Sequence, residues 1–394
     1  MNIVKPQKGR ILSVSLAHLL NDWYMNYIQT LLPFLVAAGL SVSRGAFLVS
    51  AFSVTSSLLQ PVTGYLVDQK NQRWPVYMGT LWMAVLLSLI GLVKNYSFLF
   101  LTVATAGIGT AAFHPQASAM VTAVSGEKKG FFQAFFITCG NLGWALTPLV
   151  VIPFTQKFGM ERTPLFVVPG IMVALLLWFT APTIEAGAKK APPPPLLSVL
   201  RPVWFELTKI VAVVALRSLT YFTLIAFLPL YLQHRNVPLI TGGRLLFVML
   251  SAGAMGGLAG GYLSDRFGRK SVIVGSLVLA SPLFYAFLHA NGPPSYLLLA
   301  LAGAAILASF SVTVVVAQEV ISKNAAMAAG LMLGFGIGIG GLGVGLMGIL
   351  VERTGIDPAM NLLICLPFLA GILALGLRTK RMPTAVSGAT FTSS

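Results

Sequence analysis

Residues 11–33 read ILSVSLAHLLNDWYMNYIQTLLP, an apolar run of membrane-spanning length that contains a histidine and an aspartate. Four polar residues recur within it at intervals of three or four positions: His18, Asp22, Asn26 and Gln29. At that spacing they share one face of a helix. An ionisable side chain inside a membrane is costly and by default indicates a substrate or ion path. The run therefore predicts a transmembrane helix whose polar face lines a hydrated cavity.

The composition places the whole chain in the membrane class. Of its 394 residues, 56% are hydrophobic and 9% are charged, whereas a soluble domain has about 25% charged residues. Apolar segments of about 20 residues, the length of a spanning helix, account for nearly all of the chain, and no segment alternates with a period of two. We predict an all-α membrane protein with twelve transmembrane helices.

The basic residues are unevenly distributed between the two sides of the predicted bundle. If both termini are cytoplasmic, that side carries about 18 Lys and Arg residues and the other side about seven. The positive-inside rule therefore predicts cytoplasmic termini. The net charge of +16 then reflects membrane topology, and we expect no nucleic-acid partner.

The chain divides at a proline-rich stretch. Residues 182–202 include the run PPPP, which cannot continue a helix, so we predict a cytoplasmic linker there. Six-helix halves are predicted on either side, at 1–181 and 203–378, with a cytoplasmic tail at 379–394.

Two motifs recur between these halves. GYLVD at 64–68 returns as GYLSD at 261–265, and GNLG at 140–143 returns as GGLG at 340–343. Both repeats are offset by about 200 residues, which indicates an internal duplication. Duplicated halves of a transporter hold the substrate site between them, near the membrane midplane.

Residues 261–270 read GYLSDRFGRK and resemble the signature loop of the major facilitator superfamily. The resemblance rests on Gly261, Asp265, Arg266, Arg269 and Lys270. The first-half copy keeps Gly64 and Asp68 and ends at Arg73, but it has QKNQR where the family has an Arg-x-Gly-Arg core. The resemblance implies the major facilitator fold and a cytoplasmic latch at these loops. The alternative is a topology signal without a gating role.

A narrower resemblance involves HLLND at 18–22, SLLQP at 57–61, FHP at 113–115 and GNLG at 140–143. These motifs are similar to the fosmidomycin-resistance branch of that superfamily. The resemblance implies proton-driven export of fosmidomycin, a phosphonate antibiotic, or of other drugs. Three residues of the fifth helix resemble the glycine-and-proline signature of exporters: Gly140, Gly143 and Pro148. Ordinary tight helix packing is the alternative explanation for them.

Four ionisable residues are candidates for carrying the coupling proton: Asp22, His18, His114 and Glu319. Asp22 leads because a carboxyl group in a partly dry cavity can titrate near neutral pH. His18 lies one helical turn before it, and His114 precedes a proline that bends its helix. Each has a structural alternative. Asp22 and His18 could anchor a neighbouring helix, and His114 could satisfy backbone groups freed by the proline. Glu319 could form an ion pair with Lys323 or cap a gate.

Arg217 is the sole basic residue deep within a predicted span. A guanidinium group binds phosphonate or carboxylate through two parallel hydrogen bonds, so we predict that Arg217 binds an anionic substrate. An ion pair between Arg217 and an acidic residue is the alternative. Four further residues are predicted to line the cavity: Asn26, Gln29, Gln116 and Tyr221.

No enzyme motif is convincing, and the phosphate-binding loop of ATPases is missing from the sequence, so we predict neither enzymatic activity nor a cofactor. His18, Asp22 and His114 could form a metal site in principle, but sequence spacing does not fix their separation. We expect a monomeric transporter of a bacterial-type inner membrane that exports a small anionic drug in exchange for protons. Its partners would be the drug, protons and the lipid bilayer. Uptake of an organic anion together with protons, and a non-transporting role, are the alternatives.

Overall fold

The structure is a computed structural model that describes residues 6–63, 73–183, 201–321 and 325–378, without the side chains of 325–327, 329–330 and 333. Within these ranges the chain forms helices and no strand. The predicted linker at 182–202 lies mostly outside the described residues and the tail at 379–394 entirely so. The division into two halves therefore stays a prediction.

The described α-helices are, in chain order, α1 (Lys8–Met25), α2 (Tyr27–Ala37), α3 (Val42–Leu58), α4 (Trp74–Ser88), α5 (Tyr96–Val124), α6 (Lys129–Phe158), α7 (Val167–Thr180), α8 (Trp204–His234), α9 (Leu239–Phe267), α10 (Arg269–His289), α11 (Pro293–Val320), α12 (Ala325–Thr354), α13 (Ile356–Leu363) and α14 (Leu366–Ala374). Short 3₁₀ helices at Leu89–Leu92, Met160–Phe166 and Arg201–Val203 lie between them.

Eleven helical segments in the described ranges are long and apolar enough to cross a membrane, counting α13 and α14 together as Ile356–Ala374. The predicted first span is the twelfth, and it is divided into α1 and α2 at Asn26. There the backbone bond from Asn26 N to Asp22 O lengthens to 3.3 Å, and the Thr30 hydroxyl donates to the Asn26 carbonyl at 2.8 Å. The predicted all-α, twelve-helix fold is confirmed, but its first helix is not continuous.

Helices from the two sides of the linker meet at the end of the bundle opposite the chain termini. α3 packs against α12, α6 against α9, and α2 against α8. At the outermost point, the backbone N–H of Ser43 donates to Glu352 Oε1 at 2.8 Å. Deeper in the bundle, the hydroxyl of Ser50 donates to the carbonyl of Gly341 at 2.6 Å and accepts from the N–H of Gly345 at 2.9 Å. The α3–α12 contact is therefore hydrogen-bonded as well as packed.

Small residues line that contact once per helical turn. A Cβ at Gly345 would lie 2.7 Å from Ser50 Oγ, and one at Gly348 would lie 2.6 Å from the Cβ of Ala46. The same contact brings Gly341 against Ser53 and Gly338 against Ser57. We call these facing residues of α3 and α12 the Ser–Gly seam. Glycine is needed there because the two backbones approach closely.

Candidate functional site

Asp22 lies in the last turn of α1, where α1 meets α5 and α6. His114 approaches it from α5, and Phe136 and Gly140 approach from α6. His18 lies one turn earlier on α1, as the spacing of the sequence predicts. The fold thus brings His114 of α5 to the His18–Asp22 pair of α1, and the three side chains form one ionisable cluster.

The cluster is held by short contacts. His114 Nε2 lies 2.9 Å from Asp22 Oδ1, and His18 Nε2 lies 3.5 Å from Asp22 Oδ2. The His18 ring stacks on the ring of Phe136, with centroids 3.9 Å apart and planes at 13°. The Asp22 and His114 side chains keep 15% and 20% of their surface accessible.

Two backbone carbonyl groups fix the orientation of the imidazole rings. His18 Nδ1 donates to the carbonyl of Phe136 at 2.7 Å, and His114 Nδ1 donates to that of Thr110 at 3.1 Å. A carbonyl oxygen can only accept, so both Nδ1 atoms carry hydrogen. In the neutral rings each Nε2 atom then carries a lone pair and no hydrogen, and it faces the Asp22 carboxyl group. The 2.9 Å contact between His114 and Asp22 therefore needs one further proton, on either atom.

The proline that follows His114 has a separate partner. Pro115 cannot donate a hydrogen bond to the carbonyl of Ala111, and the hydroxyl of Thr63 donates to that carbonyl at 2.5 Å. His114 therefore does not serve the backbone group that Pro115 leaves free. Its ring is available to Asp22.

The three residues of the predicted export signature pack on two different partners. Gly140 faces the ionisable cluster, where a Cβ would lie 2.5 Å from both Asp22 Oδ2 and His18 Cε1. A Cβ at Gly143 would overlap the carbonyl oxygen of Leu19. The carbonyl of Pro148 lies against Gly243 of α9, across the contact between halves. Gly140 thus shapes the ionisable cluster as well as the packing of α6.

Replacing Gly140 with alanine is expected to displace the Asp22 and His18 side chains and to reduce strongly the proton-coupled transport that the sequence predicts. Overpacking of a dense interior costs about 1–3 kcal/mol, and here the displaced atoms are those of the cluster. Transport assays in proteoliposomes would measure the loss. Gly275→Ala is the matched control, since a Cβ there meets nothing within 4 Å. Equal transport in the two variants would contradict a role of Gly140 in shaping the cluster.

Arg217 is buried in α8 with only 2% of its surface exposed. Its Nη2 donates to Ser218 Oγ at 3.1 Å, and its guanidinium group lies 4.7 Å from the centroid of the Phe310 ring. Among the residues that the structure describes, Nη1 has no hydrogen-bond partner and no carboxylate lies within 4.0 Å of the guanidinium group. Within the described ranges, the alternative of an Arg217–acid ion pair is therefore not observed. A buried cation with an unused donor is suited to bind an anion.

The other predicted cavity residues are buried as well, or partly so. Asn26 Nδ2 donates to the carbonyl of Trp144 at 2.9 Å, which ties the α1–α2 break to α6. Gln29 and Gln116 are buried on α2 and α5. Tyr221 lies one turn after Arg217 and packs edge-to-face on Phe222, with ring centroids 5.5 Å apart. Their predicted roles in substrate binding stay predictions.

The predicted gate motif lies at the end of the bundle that holds the chain termini. Arg269 Nε donates to Glu319 Oε1 at 2.7 Å, and its Nη1 lies 3.5 Å from Asp265 Oδ1. Glu319 therefore pairs with the gate motif in the structure, while Lys323, its predicted partner, lies outside the described residues. The role of Glu319 in proton coupling stays a prediction.

The remaining gate residues are only partly described. Gly261 makes an ordinary contact with α11, since a Cβ there would lie 3.5 Å from Ser311 Oγ. Arg266 lies 6.0 Å from the centroid of the Phe267 ring, and Lys270 stands in the first turn of α10. Arg73 Nη1 donates to the carbonyl of Ala181 at 3.5 Å. Gly64 and Asp68 lie outside the described residues.

Sequence reasoning missed three contributors to the site: Phe136, Thr110 and Trp144. Thr110 lies four residues before His114 on the same helix, so helical geometry could have identified it. Phe136 and Trp144 accept hydrogen bonds through their backbone carbonyls, which leave no trace in side-chain patterns, and the Phe136 ring also stacks on His18. The metal alternative stays open, because the nearest ligand atoms of His18, Asp22 and His114 all lie within 4.8 Å of one another.

Comparison with known proteins gives consistent matches. A family model described as Major Facilitator Superfamily matches residues 14–325 and 243–392. A "Fosmidomycin resistance protein" of Escherichia coli strain K12 is 30% identical over 392 residues, covering 95% of this chain and 93% of that protein. An "Uncharacterized MFS-type transporter YfnC" of Bacillus subtilis strain 168 is 28% identical over 376 residues, covering 92% and 91%.

A solved structure agrees in fold. The chain superimposes on an inward-facing, unoccupied bacterial homologue of the human lysosomal transporter Spinster with a TM-score of 0.76. The alignment covers 95% of this chain and 99% of that one, at 16% sequence identity. At this identity the likeness concerns the fold alone.

Proposed function

Because the chain belongs to the major facilitator superfamily, and is therefore a multi-pass membrane transporter and not an enzyme, we propose that it exports a small anionic drug such as fosmidomycin in exchange for protons. The observation that carries the proposal is the His18–Asp22–His114 cluster, whose fixed ring orientations require one extra proton. The name of the Escherichia coli relative supports fosmidomycin as cargo. We place the protein in a bacterial-type inner membrane as a monomer with cytoplasmic termini.

The proton and the drug occupy different places in this mechanism. The proton resides on the Asp22–His114 contact, within helices α1, α5 and α6. The anion binds to Arg217 on α8, in the other predicted half. Rocking of one half against the other then exposes both places to alternate sides of the membrane.

Antiport requires a particular sign of coupling between proton binding at the Asp22–His114 contact and anion binding at Arg217. A proton adds positive charge near the site, so charge attraction alone would favour joint binding of proton and anion. Joint binding gives symport, and this keeps proton-coupled uptake of an organic anion as the second candidate. Export requires the opposite sign, in which each ligand is bound best without the other. That coupling must run through helix contacts and not through direct charge attraction.

The sign of proton movement tests the proposal. Proteoliposomes containing the protein and a luminal pH dye would receive fosmidomycin from outside, without an imposed gradient. Antiport predicts that the lumen becomes more alkaline as drug enters and protons leave, whereas symport predicts acidification. A luminal response of the symport sign would overturn export as the function.

Asp22→Asn is expected to abolish the drug-driven proton signal, because an amide cannot exchange a proton with His114. Asp357→Asn makes the same chemical change at an exposed site, at the end of the bundle opposite the chain termini. This variant should leave the proton signal intact. The two variants are compared at equal protein content in the same dye assay. Undiminished proton movement in Asp22→Asn would remove this residue from the coupling mechanism.

A further inference from the structure

We propose that His18, Asp22 and His114 form a binding site for a divalent transition-metal ion, and that Zn²⁺ suits it best. The site goes beyond the proposed function, because drug export in exchange for protons requires no metal. One ligand atom from each residue can be chosen so that all three atoms lie within 4.8 Å of one another. Within the residues that the structure describes, no other three His, Cys, Asp or Glu side chains form such a group.

The distances between these ligand atoms are close to those of a tetrahedral zinc site. Zinc holds nitrogen and carboxylate oxygen at about 2.0–2.2 Å, so neighbouring ligand atoms of a tetrahedron lie about 3.3–3.6 Å apart. Asp22 Oδ1 lies 2.9 Å from His114 Nε2, and Asp22 Oδ2 lies 3.5 Å from His18 Nε2. Modest side-chain rotations therefore suffice to bring all three ligands to one ion.

The placement of the ligands on the helices is also typical of zinc sites. His18 and Asp22 are four residues apart on α1, which is the spacing at which the two histidines of an H-E-x-x-H helix bind one zinc ion. His114 supplies the third ligand from α5. Three protein ligands leave the fourth tetrahedral position to water or another small ligand.

The imidazole rings are oriented as metal-binding histidines are. His18 Nδ1 donates to the carbonyl of Phe136 at 2.7 Å. His114 Nδ1 donates to the carbonyl of Thr110 at 3.1 Å. A metal-binding histidine almost always donates its other N–H to a carbonyl, a carboxylate or water, which fixes the tautomer and directs the remaining lone pair at the metal. These backbone bonds are independent of the distances between ligand atoms, so they support the site separately.

The chemistry of the donor set selects the ion. Two neutral imidazole nitrogens and one carboxylate suit Zn²⁺ and its neighbours Cu²⁺ and Ni²⁺, whereas Mg²⁺ and Ca²⁺ prefer oxygen ligands alone. A bound cation also relieves the repulsion between the carboxylate and the Nε2 lone pairs that face it. Zinc and the proton of the proposed function would therefore exclude one another at this cluster.

Calorimetry with zinc chloride tests the site in the purified full-length protein, which must carry no histidine tag. Cys139 and Cys365 are first replaced with serine, because free thiols also bind zinc. We expect one zinc ion per chain and no binding of magnesium. His114→Gln keeps a polar side chain but has no imidazole lone pair. It should weaken zinc binding at least about 100-fold, since loss of an outer-shell partner alone costs about 10- to 100-fold.

His234→Gln is the matched control. His234 Nε2 lies 3.2 Å from Asp357 Oδ2, so this exposed pair resembles half of the proposed site, but within the described residues it has no third ligand. The variant should bind zinc as tightly as the wild type. X-ray absorption at the zinc edge counts the bound imidazole rings, and it should find two in the wild type. That count requires no variant to fold.

Four results would overturn the metal site. They are a wild type that does not bind zinc, a zinc ion with fewer than two imidazole ligands, a folded His114→Gln protein with unchanged affinity, and loss of binding in His234→Gln. Thermal unfolding establishes whether each variant is folded. The experiment measures no transport, so a failure of the proposed drug export would leave its result unaffected.

Discussion

Replacing Arg217 with glutamine is expected to abolish phosphonate binding and, at the same time, to raise the thermal stability of the drug-free protein. A buried charge without an opposite charge is destabilising, since its desolvation is not repaid. In the described part of the chain, Arg217 donates a hydrogen bond to Ser218, and its Nη1 has no partner. Losing a buried, charge-assisted contact to a ligand costs roughly 2–5 kcal/mol, which is a loss of at least about 30-fold in affinity.

Two further variants make this prediction specific. Arg217→Lys keeps the charge but loses the planar two-point fork, so its affinity should lie between wild type and Arg217→Gln. Arg235→Gln makes the same change at a half-exposed arginine near Asp357 and should affect neither property. Thermal unfolding in detergent, with and without fosmidomycin, measures both effects together. A drug-free Arg217→Gln protein that is less stable than wild type would indicate a structural partner for Arg217 instead of a ligand.

The fold was predictable because the signals that determine it are local. Apolar length and the proline-rich stretch locate the helices, and neither depends on how the helices pack. The shared face of His18 and Asp22 was predictable for the same reason, since they lie one turn apart on one helix. His114 was identified as a candidate, but its contact with Asp22 joins positions 92 residues apart. Sequence spacing cannot supply that distance.

The details that sequence reasoning missed depend on backbone atoms and on tertiary context. The carbonyl groups that orient His18 and His114 are present in every residue, so no residue type marks them. At the break between α1 and α2, Asn26 donates to the carbonyl of Trp144, 118 residues away. Glu319 contacts Arg269 of another helix, 50 residues earlier in the sequence. Local sequence patterns do not contain contacts between positions so far apart.

Gly341→Val is expected to open the end of the bundle opposite the termini and to stop transport. Gly341 lies in the Ser–Gly seam, where even a Cβ would overlap the Cβ of Ser53 and lie 2.6 Å from its Oγ. Alternating access requires this end to close in every cycle, and a valine holds α3 and α12 apart. Overpacking of about 1–3 kcal/mol would shift the balance between closed and open forms about 5- to 150-fold towards open.

Cross-linking measures that balance directly. Ser43 and Glu352 touch in the closed form through a 2.8 Å hydrogen bond. After Cys139 and Cys365 are replaced with serine, cysteines introduced at these two positions would be joined by a short bifunctional reagent. Gly341→Val should lower the cross-linked fraction, while Gly275→Val, where an added Cβ meets nothing within 4 Å, should not. Because the valine leaves Arg217 and the ionisable cluster intact, drug binding should survive when transport is lost. An unchanged cross-linked fraction together with lost transport would show that the seam does not act as the gate.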